Sequence, residues 1–211
     1  MENKDIEVEI SGKISLEQFK KIREILEEGG TFKKLKARLS FMYFRNSIPK
    51  DLSEIKDDLV DLRFRVTNKE PEIVLKYGSF TGNHARKEIT LSLTKENMSN
   101  YIEFLNLLGW SRIVVYATRT YTYQYQNIEF ALVEIKDYGY NFEAEIITDE
   151  SHIAEAQEKI REELNRLGLV PFSDEDLTLQ CNQINNTKKL QFDLNLNTLV
   201  EIKSRFKEFF D

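Results

Sequence analysis

Two Glu-x-Glu pairs, Glu7 with Glu9 and Glu143 with Glu145, are the first residues in this chain whose types and spacing suit chemistry. Side chains of an extended chain alternate between faces, so each pair sends both carboxylates to one side, about 7 Å apart. Carboxylate oxygens in that arrangement suit a hard divalent cation, which takes a few protein ligands and keeps several waters. A second set is basic. Arg63 and Arg65 alternate with Leu62, Phe64 and Val66, while Arg86 and Glu88 alternate with Ile89 and Leu91. Lys76 and Arg119 lie in further strand-like stretches. The planar fork of a guanidinium gives phosphate two parallel hydrogen bonds, which makes arginine the apt cation for such a ligand. Apolar residues take the other face each time, Ile6, Val8 and Ile10 beside the first glutamate pair and Phe142, Ala144 and Ile146 beside the second. Either the charged faces all look at water, or they look at one another across a polar interior. For a single strand the solvated face is the simpler reading; it is the recurrence that raises the second.

The elements that must hold these residues follow from periodicity and punctuation. A strand over about 6–11 precedes a helix opened by Ser15 and Gln18 as a capping box and stopped at Gly29-Gly30. Its stripe is Leu16, Phe19, Ile22, Ile25 and Leu26. Residues 31–46 read as strand in their second half, and 47–58, with Pro49 and many charges, as a loop. Strands are expected at about 60–67, 72–78 and 86–93, then a helix over 94–109, then strands at 112–125, 127–136 and 141–147. The Tyr121, Tyr123 and Tyr125 row reads as packing. A helix over 151–167 ends at Leu167-Gly168-Leu169, and a short helix is expected over 173–181. The Asn-rich stretch 182–197 holds a possible strand at 189–192, and Thr198 with Glu201 caps a last helix. Amphipathic helices need an apolar partner, and an apolar outer sheet face supplies one. That favours charged strand faces turned inward.

Composition narrows the classes. At 211 residues the chain fits one large domain, or one domain with an appended segment. An apolar content of 41% supports a core, and the 31% of charged residues are mixed evenly enough to argue against disorder. A net charge of −6 argues against broad nucleic-acid binding, though not against a local basic pocket. The lone Cys181 excludes an internal disulfide, fits a reducing compartment, and reads as a small buried hydrophobe rather than a nucleophile. No apolar run approaches the roughly 18 residues of a membrane span, and the charged start has no secretion signal, so a cytoplasmic location is expected. His84 and His152 read as surface residues with no zinc-site spacing. Lys33, Lys34 and Lys36 read as a solvated face.

The order of these motifs resembles the CYTH superfamily, the triphosphate tunnel metalloenzymes, over about residues 5–180. Glu7-Val8-Glu9-Ile10-Ser11 stands where that family opens with Glu-x-Glu-x-Lys. Leu62-Arg63-Phe64-Arg65 matches its Leu-Arg-x-Arg strand, Leu75-Lys76 its next basic strand, and Arg86-Lys87-Glu88 its Arg-x-Glu strand. Arg119 with Tyr121 matches a later arginine before an aromatic. The run from Tyr138-Gly139 to Glu143-Ala144-Glu145 matches the closing signature, and Leu167-Gly168-Leu169 the family's helix end. Two positions depart. The lysine of the first motif is Ser11, with Lys13 two residues further on the same strand face as a tentative catalytic substitute. An acidic metal ligand is replaced by Val133, with Glu134 beside it on the opposite face.

The resemblance implies an α+β fold with an antiparallel eight-stranded β tunnel or barrel, a polar charged lumen and flanking amphipathic helices. The tunnel domain spans 1–181, with 182–211 an extension whose terminal helix packs on it. The implied activity is metal-dependent hydrolysis of tripolyphosphate, thiamine triphosphate or a nucleoside triphosphate. The alternatives are an adenylyl cyclase of class IV type and a degenerate nucleotide or triphosphate binder. A triphosphate carries about four negative charges, so several fixed cations and a bridging metal are needed to hold it. Arg63, Arg65, Lys76, Arg86 and Arg119 are the expected substrate-binding cations; Glu7, Glu9, Glu143 and Glu145 the ligands of Mg²⁺ or Mn²⁺; Glu88 a supporting residue. The expected partner is the small triphosphate, without nucleic acid or membrane, in a monomer or homodimer.

Overall fold

The computed structural model describes residues 6–45, 47–51, 60–77, 87–196 and 199–210. Its strands are β1 (Ile6–Ile14), β2 (Thr31–Phe44), β3 (Val60–Thr67), β4 (Glu70–Tyr77), β5 (Lys87–Ser92), β6 (Arg112–Tyr125), β7 (Ile128–Ile135), β8 (Gly139–Thr148) and β9 (Gln191–Asp193). Between and after them come α1 (Leu16–Gly29), α2 (Met98–Leu107), α3 (Ile153–Leu167), α4 (Asp174–Asn186), α5 (Leu199–Arg205) and α6 (Lys207–Phe210). The class is α+β, and the sheet is antiparallel in the order β1-β8-β7-β6-β2-β3-β4-β5, with β9 on β6. The expected antiparallel α+β architecture is present: among the described residues eight strands follow one path, with β9 a short ninth strand beside it, and the path ends at β1 and β5 without closing. The chain groups into two compact units, 1–36 with 118–173, and 37–117 with 174–211.

In the first unit β1 runs further than its apolar alternation signals, through Gly12 to Ile14. A Cβ at Gly12 would fall 2.4 Å from the Val170 carbonyl oxygen and 2.5 Å from the Phe142 ring. The absent side chain lets the segment after α3 cross β1, where the Phe172 N–H donates to the Ser11 carbonyl at 2.8 Å. The capping box forms as expected, Gln18 N–H to Ser15 Oγ at 3.1 Å and Ser15 N–H to Gln18 Oε1 at 3.0 Å. Phe19, Ile22 and Leu26 of α1 and Ala156, Ile160 and Leu164 of α3 bury themselves against Val8, Tyr123, Phe130, Phe142 and Ala144. Leu16, counted in the α1 stripe, is exposed instead. α3 stops at Gly168, whose φ of 69° is a left-handed conformation glycine takes without strain.

The second unit repeats the logic. Ile102 and Leu105 of α2, with Ile202 of α5, Phe209 of α6 and Phe206 between them, cover Leu39, Phe41, Leu62, Phe64 and Val115. In both units, helices cover the apolar sheet face and the charged side chains take the other, the inside-out arrangement the amphipathic helices call for. β2 is strand throughout; only its second half is expected from sequence, because the exposed, lysine-rich first half lacks the apolar alternation that marks a strand. α4 runs past the expected 173–181, and two of its asparagines are tied to the segment before β3. Asn182 Nδ2 donates to Asp51 at 3.0 Å and Asn186 Nδ2 to the Lys50 carbonyl at 2.7 Å. Cys181 is half-buried.

Candidate functional site

The antiparallel register of β1, β8 and β7 builds a row of carboxylates. Glu9 lies opposite Glu145, and Glu145 opposite Glu129, so three glutamates cross three neighbouring strands in line. Ser11 and Ala131 flank Glu143 in the same way. Glu9, Glu129, Ala131, Glu143 and Glu145, with Glu7, line a groove of about 460 Å³ whose buried floor includes Thr120 and Thr122 and which Lys34 and Lys36 also line. All of it lies within the first unit.

Like charges placed directly across a sheet repel. Burial among these neighbours, reinforced by repulsion from Glu143, Glu7 and Glu145 and a hydrogen bond to Glu7, raises the Glu9 pKa to about 7. Water still reaches the Glu9 side chain along the groove. Glu145 is shifted upward too, by burial first and then by Glu7, Glu129 and Glu143, with Lys34 acting in the other direction. The donor set is oxygen throughout, which suits Mg²⁺ or Mn²⁺ better than a thiolate- or imidazole-loving metal. Among the described residues, no three His, Cys, Asp or Glu side chains are grouped so as to hold an ion by themselves. A cation here therefore needs oxygens from water or ligand as well.

The two departures from the motif also face this groove's side of the sheet. Val133, 7% exposed, pairs with Thr120 on one side and Asn141 on the other. Glu134 faces the other way, opposite Arg119. Lys13 shares a strand face with Glu9, but its Nζ stands 5.0 Å from the centre of the Tyr138 ring.

Arg119 does not join the carboxylates. Thr120 and Thr122 line the groove, so the alternation sends Arg119 and Tyr121 to the helix-covered face. Tyr121 there meets Phe19 edge-on at 6.0 Å. The cation over its ring is Arg23, at 4.6 Å. Among the charged lining residues, three that sequence reasoning did not assign to the site line the groove: Glu129, Lys34 and Lys36. The register of β7 on β8 and the course of β2 bring them in, and neither is written in local sequence. The period-two spacing of Glu129 with Ala131 and Val133 was the one available signal.

Arg63, Arg65 and Lys76 sit on the charged face of the second unit. Leu62, Phe64 and Val66 point to the core there, so Asp61, Arg63 and Arg65 point away from it. Lys76 lies opposite Asp61. Arg63 grips Asp61 with two bonds, Nη2 to Oδ2 at 2.6 Å and Nε to Oδ1 at 2.8 Å, and donates from Nη1 to the Tyr116 hydroxyl at 3.3 Å. Arg65 is buried, in register between Ser40 and Glu72. Arg86 and His84 lie outside the described residues. Glu88 lies opposite Lys76 by its backbone, and its side chain is outside the described set.

No protein-family model matches the sequence, and no curated protein does. Solved structures do match. The PH1819 protein of Pyrococcus horikoshii is 23% identical, with a TM-score of 0.57 over 83% of this chain and 99% of that one. A candidate adenylate cyclase from Bacillus halodurans is 20% identical, with a TM-score of 0.53 over 81% and 94% of the two chains. A candidate adenylyl cyclase from Hippeastrum, whose dominant activity is that of a triphosphatase, is 14% identical, with a TM-score of 0.55 over 80% and 90%. At these identities the shared property is the fold.

Proposed function

We propose that this CYTH-like fold binds a small triphosphate and, with a divalent cation, hydrolyses it. The observation that carries the reading is the Glu9–Glu145–Glu129 row with Glu7 and Glu143 beside it, set with Lys34 and Lys36 in one groove. So many carboxylates on one face are costly to ionise together unless positive charge enters. Glu7, Glu9, Glu143 and Glu145 are the residues to hold Mg²⁺ or Mn²⁺, which would neutralise phosphate charge and polarise the phosphoryl oxygens. Lys34 and Lys36 supply fixed positive charge beside them, and the Thr120 and Thr122 hydroxyls supply short polar donors at the floor.

The test is phosphate release by the purified chain from tripolyphosphate, thiamine triphosphate and ATP with Mg²⁺ or Mn²⁺. Turnover should fall at least about tenfold in Glu9→Gln and Glu145→Gln, the scale of losing one charge-assisted interaction. The hydrolase reading is abandoned if no substrate is cleaved, or if wild type and both variants behave alike. Following cyclic AMP against ADP in the ATP reaction separates a cyclase from a hydrolase.

Val133 and Ser11 favour a second reading, binding without turnover. Each puts an uncharged side chain on the groove face where the resembling family carries a metal ligand or a lysine. Calorimetry would then show tripolyphosphate binding with no phosphate released, and Ser11→Lys combined with Val133→Asp should create activity.

A further inference from the structure

The second unit contains another concave site, away from the strand face that bears Arg63. It is a groove of about 440 Å³ rimmed by four lysines, Lys69, Lys95, Lys203 and Lys207, over an apolar floor that includes Pro71, Met98 and Phe210. Among the described residues, none of those lining it is acidic. The chain as a whole carries −6, and four lysines lining one concavity set it apart from the carboxylate-lined groove of the first unit.

Their anchors come from separate elements. Lys69 sits at the tip of the β3–β4 turn with a φ of 71°, beside Asn68 at 50°. That turn is tied to β2: the Ala37 N–H donates to Asn68 Oδ1 at 2.8 Å, and the Asn68 N–H returns a bond to the Ala37 carbonyl at 2.8 Å. Lys203 Nζ donates to Ser99 Oγ at 3.0 Å. Lys95 Nζ lies 3.3 Å from Glu70, and both side chains are exposed. α2 begins at the groove with Met98, and its N-cap Asn97 makes no side-chain cap bond. The helix end therefore adds partial positive charge. An anion in the groove could be met by several ammonium groups from separate elements at once.

We infer that this groove binds a small organic phosphate, its phosphate among the four lysines and its aromatic or aliphatic body on the Met98–Phe210 floor. The volume is that of a small-ligand pocket, and an apolar floor under a cationic rim calls for a ligand with both characters. The inference stands apart from the proposed triphosphate chemistry, which uses the other unit.

The probe is 1-naphthyl phosphate, followed by its fluorescence on titration with the full chain. Saturable binding is expected. Lys203→Ala combined with Lys207→Ala should weaken it by at least about tenfold, the loss of charge-assisted hydrogen bonds, and the double arginine variant should retain it. Lys34→Ala with Lys36→Ala, in the carboxylate groove, should leave it within about twofold. Inorganic phosphate and 1-naphthol should each bind at least about tenfold more weakly, because each offers half the ligand. Lys207 is exposed and Lys203 half-buried, so thermal melts of the double alanine variant should match wild type. If it fails to fold, Lys95→Ala at an exposed position is the replacement, with a several-fold loss expected. No saturable binding, affinity indifferent to these lysines, or phosphate alone binding as well as the naphthyl ester would overturn the inference. Sedimentation with vesicles carrying phosphatidic acid separates the sources of the phosphate. The chain should stay in the supernatant, and pelleting would overturn the small-ligand assignment in favour of a lipid headgroup.

Discussion

The charged faces of the two units solve one problem in opposite ways. In the second unit, Arg63 meets an opposite charge, Asp61, in a two-bond grip whose carboxylate side chain is 3% exposed. In the first, Glu9, Glu145 and Glu129 meet one another. A compensated face is stable as it stands, and removing one member takes compensation from the other. A face of like charges is strained as it stands, and removing one member relieves it. Charge removal should therefore have opposite signs in the two units, and that contrast is what the following experiments sharpen or break.

The largest effect is expected in the second unit. Arg63→Met takes both guanidinium bonds from a buried Asp61, and breaking a buried pair from one side costs about 3 kcal/mol. Adding Asp61→Leu should recover part of the loss, since the carboxylate that lost two bonds goes with it. Denaturant unfolding of the single and double variants measures this. A single variant as stable as wild type would show that the grip contributes nothing, and the contrast between the faces would fail.

Next in size is stabilisation of the first unit by ligands. Mg²⁺ with tripolyphosphate at a hundredfold excess over Kd should stabilise the fold by about 2.7 kcal/mol through mass action. The rise in melting temperature should be lost in the Glu9→Gln, Glu145→Gln double variant and kept in Lys203→Ala with Lys207→Ala. A melting temperature unmoved by ligand in the wild type would count against any cation or phosphate site on that face.

A smaller effect is the pH dependence of the glutamate row. The Glu9 pKa is raised to about 7 from an ordinary 4.5. Between those values the folded chain holds a proton that the unfolded chain has released, so stability falls as pH rises. This contribution is fully present below about pH 4.5 and is lost as pH passes through about 7. Water reaches the side chain, so screening limits the effect to on the order of 1 kcal/mol. Glu9→Gln should match wild type near pH 4.5 and melt higher at pH 8, by about 2–4 °C for a chain of this size. Metal-free buffer is needed, because a bound cation would offset the repulsion. A gap that closes rather than opens toward pH 8 would mean the row is not strained.

The legible parts of this molecule were those governed by local rules. Period-two alternation marked most of the strands, and Ser15 with Gln18 marked where α1 starts. The charged face opposite the helices followed from asking what amphipathic helices must cover. What stayed hidden depends on register. Glu129 enters the site only because β7 pairs with β8 so that it meets Glu145. Lys34 and Lys36 looked like a solvated face because their half of β2 carries no apolar alternation. The Asn-rich segment looked irregular because its order comes from distant partners at Lys50 and Asp51.

Arg119 makes the sharpest case, and the smallest expected effect. It matched a motif, but Tyr121, Tyr123 and Tyr125 share its parity, and a row of tyrosines read as packing already assigned that face to the helices. The structure agrees: Tyr123 is 1% exposed in the core, while Thr120 and Thr122 take the groove side. Arg119 is exposed opposite Glu134 on that helix-side face, where exposed charge pairs contribute between nothing and about 1 kcal/mol. Arg119→Gln should therefore change neither tripolyphosphate binding by calorimetry nor the Mg²⁺-dependent rise in melting temperature. Lys34→Gln with Lys36→Gln, on the groove side, should weaken both. If Arg119→Gln were the variant that abolished binding, the strand parity on which the whole groove is built would be wrong, and the glutamate row would lose its claim to be the site.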